Sequence, residues 1–198
     1  MSPSGGYFEE RSAEIVSLLP ESWEEYKRLR LRALSTEAQA FGTSYAEAAE
    51  YPDEHWRQRL QDVFDGKSHL LFARLDGKLV GMVGAFQQDE DRKNLSANVI
   101  SMYVEAEFRS RGIGRALLSR LLQDLALKGI EKARLDVVAD QVAAKHLYLS
   151  LGFAFTGSSI QTLGDGREHI ELQMELTGLA AGRYYGKRSV TTLDTEGE

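Results

Sequence analysis

The chain has 198 residues, 42% of them apolar and 27% charged, with a formal net charge of −6 and a pI near 5.4. Its length buries roughly two thirds of the unfolded surface without staples, and the absence of cysteine excludes disulfides, thiolate metal sites and a cysteine nucleophile. The acidic balance speaks against nucleic acid as a partner, and no run approaches the roughly 18 apolar residues of a membrane span; with a polar start, Met1-Ser2-Pro3-Ser4-Gly5-Gly6, unlike a signal peptide, the chain reads as soluble and cytoplasmic.

Residues 1–12 read as a loose leader, 13–176 as one domain and 177–198 as a polar, glycine-containing tail. Ala13–Leu19 has the composition of a first strand, broken at Pro20. A helix follows over 21–35, with Trp23, Tyr26, Leu29, Leu31 and Leu34 mostly at three- and four-residue steps. Ala46–Glu50 is a candidate short helix. Pro52, with Asp53 and Glu54 behind it, opens another that carries Trp56, Leu60 and Val63 and ends at Gly66. His69–Leu75 and Lys78–Gln87 flank Asp76-Gly77, a two-residue hairpin signal. Asn94–Glu105 holds a strand apolar on both faces, as a central strand is.

From about Gly112 to Lys128 runs a helix with Ile113, Ala116, Leu117, Leu121 and Leu125 as its stripe, capped by Gly129. Ala133–Ala139 is a strand and Gln141–Leu151 a helix closed by Gly152. Phe153–Leu163 and Arg167–Leu176 form a last hairpin around Gly164-Asp165-Gly166. The order is α+β, with a strand–helix–strand unit over 95–139.

The segment Tyr103–Leu117 carries the most chemistry. A strand ends, a loop holds Arg109, Arg111, Gly112 and Gly114, and a helix begins, with Arg115 in its first turn. Free backbone N–H groups and the positive end of the helix dipole make such a place an anion site. Glycine lets the backbone come close to a phosphate, and the arginines add charge. Leu117 removes the third glycine of a dinucleotide fingerprint, and no Gly-Lys-Ser/Thr follows as a P-loop requires. On spacing alone an ordinary strand-to-helix turn with solvated arginines is equally open.

Arg109, Gly112 and Gly114 resemble the (Arg/Gln)-x-x-Gly-x-(Gly/Ala) motif of the GNAT superfamily of N-acetyltransferases. Ala144-Lys145-His146-Leu147-Tyr148-Leu149-Ser150-Leu151-Gly152-Phe153 resembles the same family's second box, and Arg30–Tyr45 is similar to its N-terminal helices. The resemblance spans about residues 13–176. It implies a GNAT-like mixed α/β fold: a twisted, mostly antiparallel sheet of about six or seven strands with about four flanking helices.

It further implies an acetyl-CoA-dependent acyltransferase needing no metal. Met102, Tyr103 and Val104 would line the pantetheine through their backbone. The N–H groups of Arg109, Ser110, Arg111, Gly112, Ile113, Gly114, Arg115 and Ala116 would hold the pyrophosphate. Gln141, where the family often has Asn, and Ala144 would complete the cofactor contacts. Tyr148 would be the general acid that protonates the leaving sulfur; its ordinary pKa near 10 suits that role. The competing reading makes Tyr148 a core tyrosine.

Asn98 stands where some members have a glutamate base, so either the base is elsewhere, with Glu47, Glu50, Glu105 and Glu107 as candidates and the last two solvated at the loop entry, or water relays the proton, or the amine arrives already neutral. Phe41, Tyr45 and Trp56 are expected to wall an acceptor pocket beside Glu47. The four histidines are scattered, which gives metal ligation no support, and His146 is expected exposed. The acceptor expected is a small-molecule amine, with a homodimer through the last hairpin as a further expectation. The alternatives are a non-catalytic acyl-CoA-binding module, a protein N-terminal or lysine acetyltransferase, another acyl donor, and a nucleotide-binding protein.

Overall fold

A computed structural model of the chain describes residues 12–93 and 95–179. Strand β1 (Glu14–Val16) passes through a 3-10 turn at Pro20–Ser22 into helix α1 (Trp23–Thr36). A second 3-10 turn, Ala38–Ala40, precedes α2 (Tyr45–Ala49) and α3 (Asp53–Phe64). Strands β2 (His69–Leu75), β3 (Lys78–Phe86) and β4 (Ser96–Val104) form a meander, with a short helix α4 (Asp89–Lys93) between the last two. Helix α5 (Ile113–Leu127), β5 (Lys132–Val138), α6 (Val142–Ser150) and the hairpin β6 (Ala154–Thr162) and β7 (Glu168–Thr177) complete the domain.

The expected α+β order holds, and the observed elements lie close to the expected ones. Strand β1 is shorter than expected, and α4 lies where no element was expected. The sheet also runs past 176: β7 ends at Thr177 and Leu179 is fully buried, its N–H bonded to the Glu131 carbonyl. The leader up to 11, Asn94, and the tail from 180 lie outside the described residues.

The seven strands lie in the order β1-β2-β3-β4-β5-β7-β6, and every pair is antiparallel except β4 with β5. Asp76 and Gly77 both take positive φ, 48° and 78°, as a type I′ hairpin turn requires.

Two apolar layers sandwich the first half of the sheet. On one face α5 sets Leu117, Leu118, Leu121, Leu122 and Leu125, all fully buried, against β2 to β5 and β7. On the other, α1 and α3 bury Tyr26, Leu29, Leu34, Trp56 and Leu60 against Phe72, Met82 and Tyr103 of β2, β3 and β4. Each such side chain contributes about 1.5–3 kcal/mol by leaving water. This second layer stops at β4; the far face of β5, β7 and β6 carries polar residues.

Candidate active site

The parallel ladder between β4 and β5 lasts only three residue pairs, Ser96↔Lys132 to Asn98↔Arg134. Beyond them the strands part. A bulge bends β4 there: three steps of β4, from Ile100 to Tyr103, oppose two of β3, from Gly84 to Met82, and Ser101 takes φ 58°. Met102, Tyr103 and Val104 follow the bulge on the edge that β5 has left. The Tyr103 ring itself is buried under α1, its hydroxyl 3.3 Å from Thr36 Oγ1.

The loop after β4 brings its N–H groups to one place. Ser110 and Gly112 take φ 63° and 79°, and Gly112 is the N-cap of α5 with no side chain capping it. Ala116 N–H to Gly112 O, 3.0 Å, is the helix's opening bond, so the N–H groups of 113–115 precede the ladder. The two glycines do different jobs. A Cβ on Gly112 would meet nothing within 4 Å, so its requirement is conformational and the space over it is open. A Cβ on Gly114 would come 3.0 Å from Met102 Cε and 3.4 Å from Leu147 Cδ2; there glycine lets α5 sit close to β4 and α6. Ile113 is buried in the core, and Ala116 is exposed.

The arginines brace this loop. Arg109 donates to the Val104 carbonyl (2.9 Å) and pairs with Glu37 (2.5 Å). Arg111 donates to the Glu107 carbonyl (3.2 Å) above the Phe108 ring, and Arg115 donates to Ser150 Oγ (2.7 Å). Arg109 is thus paired with an acid, while Arg111 and Arg115 are held by a carbonyl and a hydroxyl.

Helix α6 places the second box beside this loop. Gln141 is its N-cap, and Ala144 and Leu147 pack against the core. Tyr148 is buried against Phe153, ring centroids 6.0 Å apart. Burial raises its pKa well above the ordinary tyrosine value. Its hydroxyl makes no hydrogen bond to a described residue and is not sealed from solvent. The ring is therefore core, as the competing reading held, and the hydroxyl is a neutral proton donor with an open side. His146 is exposed, as expected.

On the acceptor side, the segment after α1 closes onto the turn between β6 and β7. Gly164 N–H bonds the Phe41 carbonyl at 2.7 Å, and a Cβ on Gly164 would meet the Thr43 carbonyl at 2.6 Å. Phe41 is buried beneath this contact, with the Arg30 guanidinium 4.5 Å over its ring. Tyr45 is 47% exposed on α2, and Glu47 accepts the Tyr51 hydroxyl at 2.6 Å.

Two expectations are corrected. Trp56 walls no pocket: it is 2% exposed, edge-on to Tyr26 in the α1–α3 core. Glu105 is not solvated: it is 4% exposed and held by Arg32 at 3.0 Å, with Lys78 at 3.6 Å. Asn98, which stands where a glutamate base would be, donates to the buried Asp91 of α4 at 2.6 Å, as do Ser96 and Arg134. Glu50 and Glu107 are exposed.

Sequence reasoning missed two carboxylates. Asp136 and Glu171 are diagonal neighbours on the uncovered face of β5 and β7, since Asp136 faces Gln173 and Val138 faces Glu171. Neither has a hydrogen bond or ion pair with a described residue. Desolvation raises the pKa of both, and for Glu171 the Asp136 charge adds to it. Asp136 lies on the stretch of β5 that β4 has left, so register decides its place. The only sequence signal was a lone acid at an outward position of an apolar strand. Among the described residues, no group of three His, Asp or Glu is placed to hold a metal ion.

The profile of the acetyltransferase (GNAT) family matches residues 23–153, and the chain belongs to that family. It is 39% identical over 87 residues to N-acetylaspartate synthetase of Rattus norvegicus, a match covering 44% of this chain and 28% of that protein. A ribosomal-protein-alanine N-acetyltransferase from Brucella melitensis shares the fold with a TM-score of 0.71 at 21% identity, over 83% of this chain and 99% of the other. So does a phosphinothricin acetyltransferase from Sinorhizobium meliloti in complex with acetyl-CoA, TM-score 0.71 at 18% identity, over 93% and 98%.

Proposed function

We propose that the protein transfers the acetyl group of acetyl-CoA to a primary amine of a small molecule, by direct attack in a ternary complex. The observation that carries this reading is the parting of β4 from β5 beside the uncapped N-terminus of α5. A diphosphate fits there: the space over Gly112 is open, the N–H groups of 113–115 precede the helix ladder, and Arg111 and Arg115 add positive charge beside the Glu37-paired Arg109. The β4 edge at Met102–Val104 has lost its β5 partner and, apart from the Val104 carbonyl held by Arg109, offers backbone to an amide-bearing pantetheine chain. In this reading Gln141 and Ala144, at the start of α6, complete the cofactor contacts.

In this reading Asp136, backed by Glu171, takes the proton of the arriving ammonium. Their raised pKa values bring them toward the range where a general base works. A backbone N–H near Val104 stabilises the oxyanion, and Tyr148 gives its proton to the departing sulfur. With no cysteine in the chain, no thioester-linked enzyme intermediate arises.

The closed contact between Gly164 and Phe41 supports a small acceptor over an extended peptide, and Phe41, Tyr45 and Glu47 flank the entrance. The reading also carries a cytoplasmic location, where a reducing compartment keeps the spent thiol reduced. It carries a homodimer as well: β6 is an edge strand without a charged residue, next to exposed Phe155, Ile160, Ile170 and Leu149. A second copy would cover that patch by pairing the two β6 edges.

The test is calorimetric titration of acetyl-CoA into the wild type and Gly112→Asp, then thiol release with a panel of amines. We expect micromolar binding that Gly112→Asp abolishes. We expect Tyr148→Phe to keep that affinity while losing about 10²- to 10³-fold in kcat. A folded wild type that binds no acetyl-CoA would overturn the proposal. Binding without turnover on any amine would leave an acyl-CoA-binding module.

A further inference from the structure

A cleft of 480 Å³ lies between α1 and the β2–β3 turn, with Glu105 at its edge. Its apolar floor is Leu29 and Leu79, both members of the α1–α3 core. It therefore opens on the α1 face of the sheet, opposite the face that α5 covers. Its size falls within the range of small-molecule sites, about 300–1,000 Å³.

Three cations border it. Arg28 and Arg32 stand one turn apart on α1, and Lys78 follows the hairpin turn. Their states differ. Arg32 donates to Glu105 Oε1 at 3.0 Å, and Lys78 Nζ stands 3.6 Å from Oε2, beyond hydrogen-bond reach. Oε2 is sealed from solvent and accepts no hydrogen bond. Both cations stay half exposed, at 51% and 54% of their side chains, while Glu105 is 6%. Arg28 is exposed and has no partner among the described residues.

A buried carboxylate is costly unless cations hold it. Once held, it fixes those cations in return. Arg32 spends one N–H on Glu105 and keeps others for the cleft, because a guanidinium has five donors and an ammonium three. Of the remaining acids along the cleft, Glu25 is taken by Arg74 at 3.1 Å, and Asp76 is engaged as well. Arg28 is the lining cation without a partner among the described residues, in a chain whose net charge is −6.

We propose that this cleft is an oxyanion-binding site, in which Arg28, Arg32 and Lys78 take a phosphate or carboxylate group and Leu29 and Leu79 take the small organic body attached to it. Glu105 is a positioning residue that holds two of the three cations. The group has two possible sources, a free small molecule or the 3′-phosphate of coenzyme A, and both present the same chemistry.

The first experiment is an NMR titration of the full chain with inorganic phosphate and no acetyl-CoA present. Shifts at residues 109–116 report the proposed cofactor site and are read separately. We expect a distinct set of amide shifts at residues 28–32, 76–79 and 105, saturating in the millimolar range. We expect Arg28→Ala, an exposed substitution that leaves the core intact, to weaken binding at least about tenfold, which is 1.4 kcal/mol. Shifts spread over the surface, shifts reproduced by chloride at equal ionic strength, or an affinity unchanged in Arg28→Ala would each overturn the site.

The second experiment separates the sources. Arg28→Ala is compared on coenzyme A and on 3′-dephospho-coenzyme A. A loss on the first alone assigns the cleft to the cofactor's own phosphate. Equal affinities, with phosphate binding still dependent on Arg28, assign it to a separate ligand.

Discussion

Strands β2 to β4 carry helices on both faces, whereas β5, β7 and β6 are covered on one. In the first region, α5 packs one side and α1 with α3 the other, and the strands read as near-continuous buried runs. In the second, α5 and α6 cover Leu135, Val137, Met174 and Leu176, while the opposite face shows Arg134, Asp136, Glu171 and Gln173. The candidate active site falls on the seam. A rigid, doubly packed strand, β4, there parts from a singly covered one, β5, and titratable groups stand on the uncovered side. The lesson is that the two halves divide the labour: one supplies a fixed edge and helix terminus, the other supplies polar side chains that burial has not neutralised.

The largest expected effect comes from the doubly packed half. Phe72 is fully buried and lies edge-on to Tyr26 at 5.7 Å, so Phe72→Ala should cost about 3–5 kcal/mol in urea unfolding. A cost under about 1 kcal/mol would mean that the second layer is looser than its burial implies.

The next tests the seam. Asp136→Asn should lower kcat/KM about 10- to 100-fold, with little change in acetyl-CoA affinity. The sign in pH follows from the raised carboxylate pKa values. The base works only when deprotonated, so wild-type activity should fall as pH drops through those raised values, higher than for an ordinary carboxylate. Removing the Asp136 charge from beside Glu171 should shift the acid limb downward in whatever activity remains. A pH profile identical to that of the wild type would place the base elsewhere.

The smallest effect belongs to the open edge. Phe155 is 50% exposed, so Phe155→Ser should change stability by less than about 0.5 kcal/mol. The same variant should shift the species seen by analytical ultracentrifugation from dimer to monomer. A wild type that sediments as a monomer at all concentrations would remove the β6 interface.

Much of this was legible along the chain. The Asp76-Gly77 hairpin, the α5 stripe, and the placing of Arg109, Gly112, Gly114 and Tyr148 at a strand-to-helix turn and on the following helix all rest on local preference. So did the two boxes that resemble the GNAT family, because an anion site at a helix N-terminus is written within about one turn of chain. The errors have one cause. Glu105 and Trp56 were placed by their neighbours in sequence, but their environments come from α1, 73 residues before Glu105 in the case of Arg32.

By itself, the sequence determined the order of elements, the family, and the glycine- and arginine-bearing loop proposed to hold an anion, since each depends on residues a few positions apart. Only the tertiary structure decided where β4 leaves β5, which glycine serves conformation and which serves packing, and which carboxylates stand free. Those depend on strand register and on the burial that distant elements impose. Charge state follows burial, so the chemistry of Asp136, Glu171 and Tyr148 became readable only once the sheet had assembled.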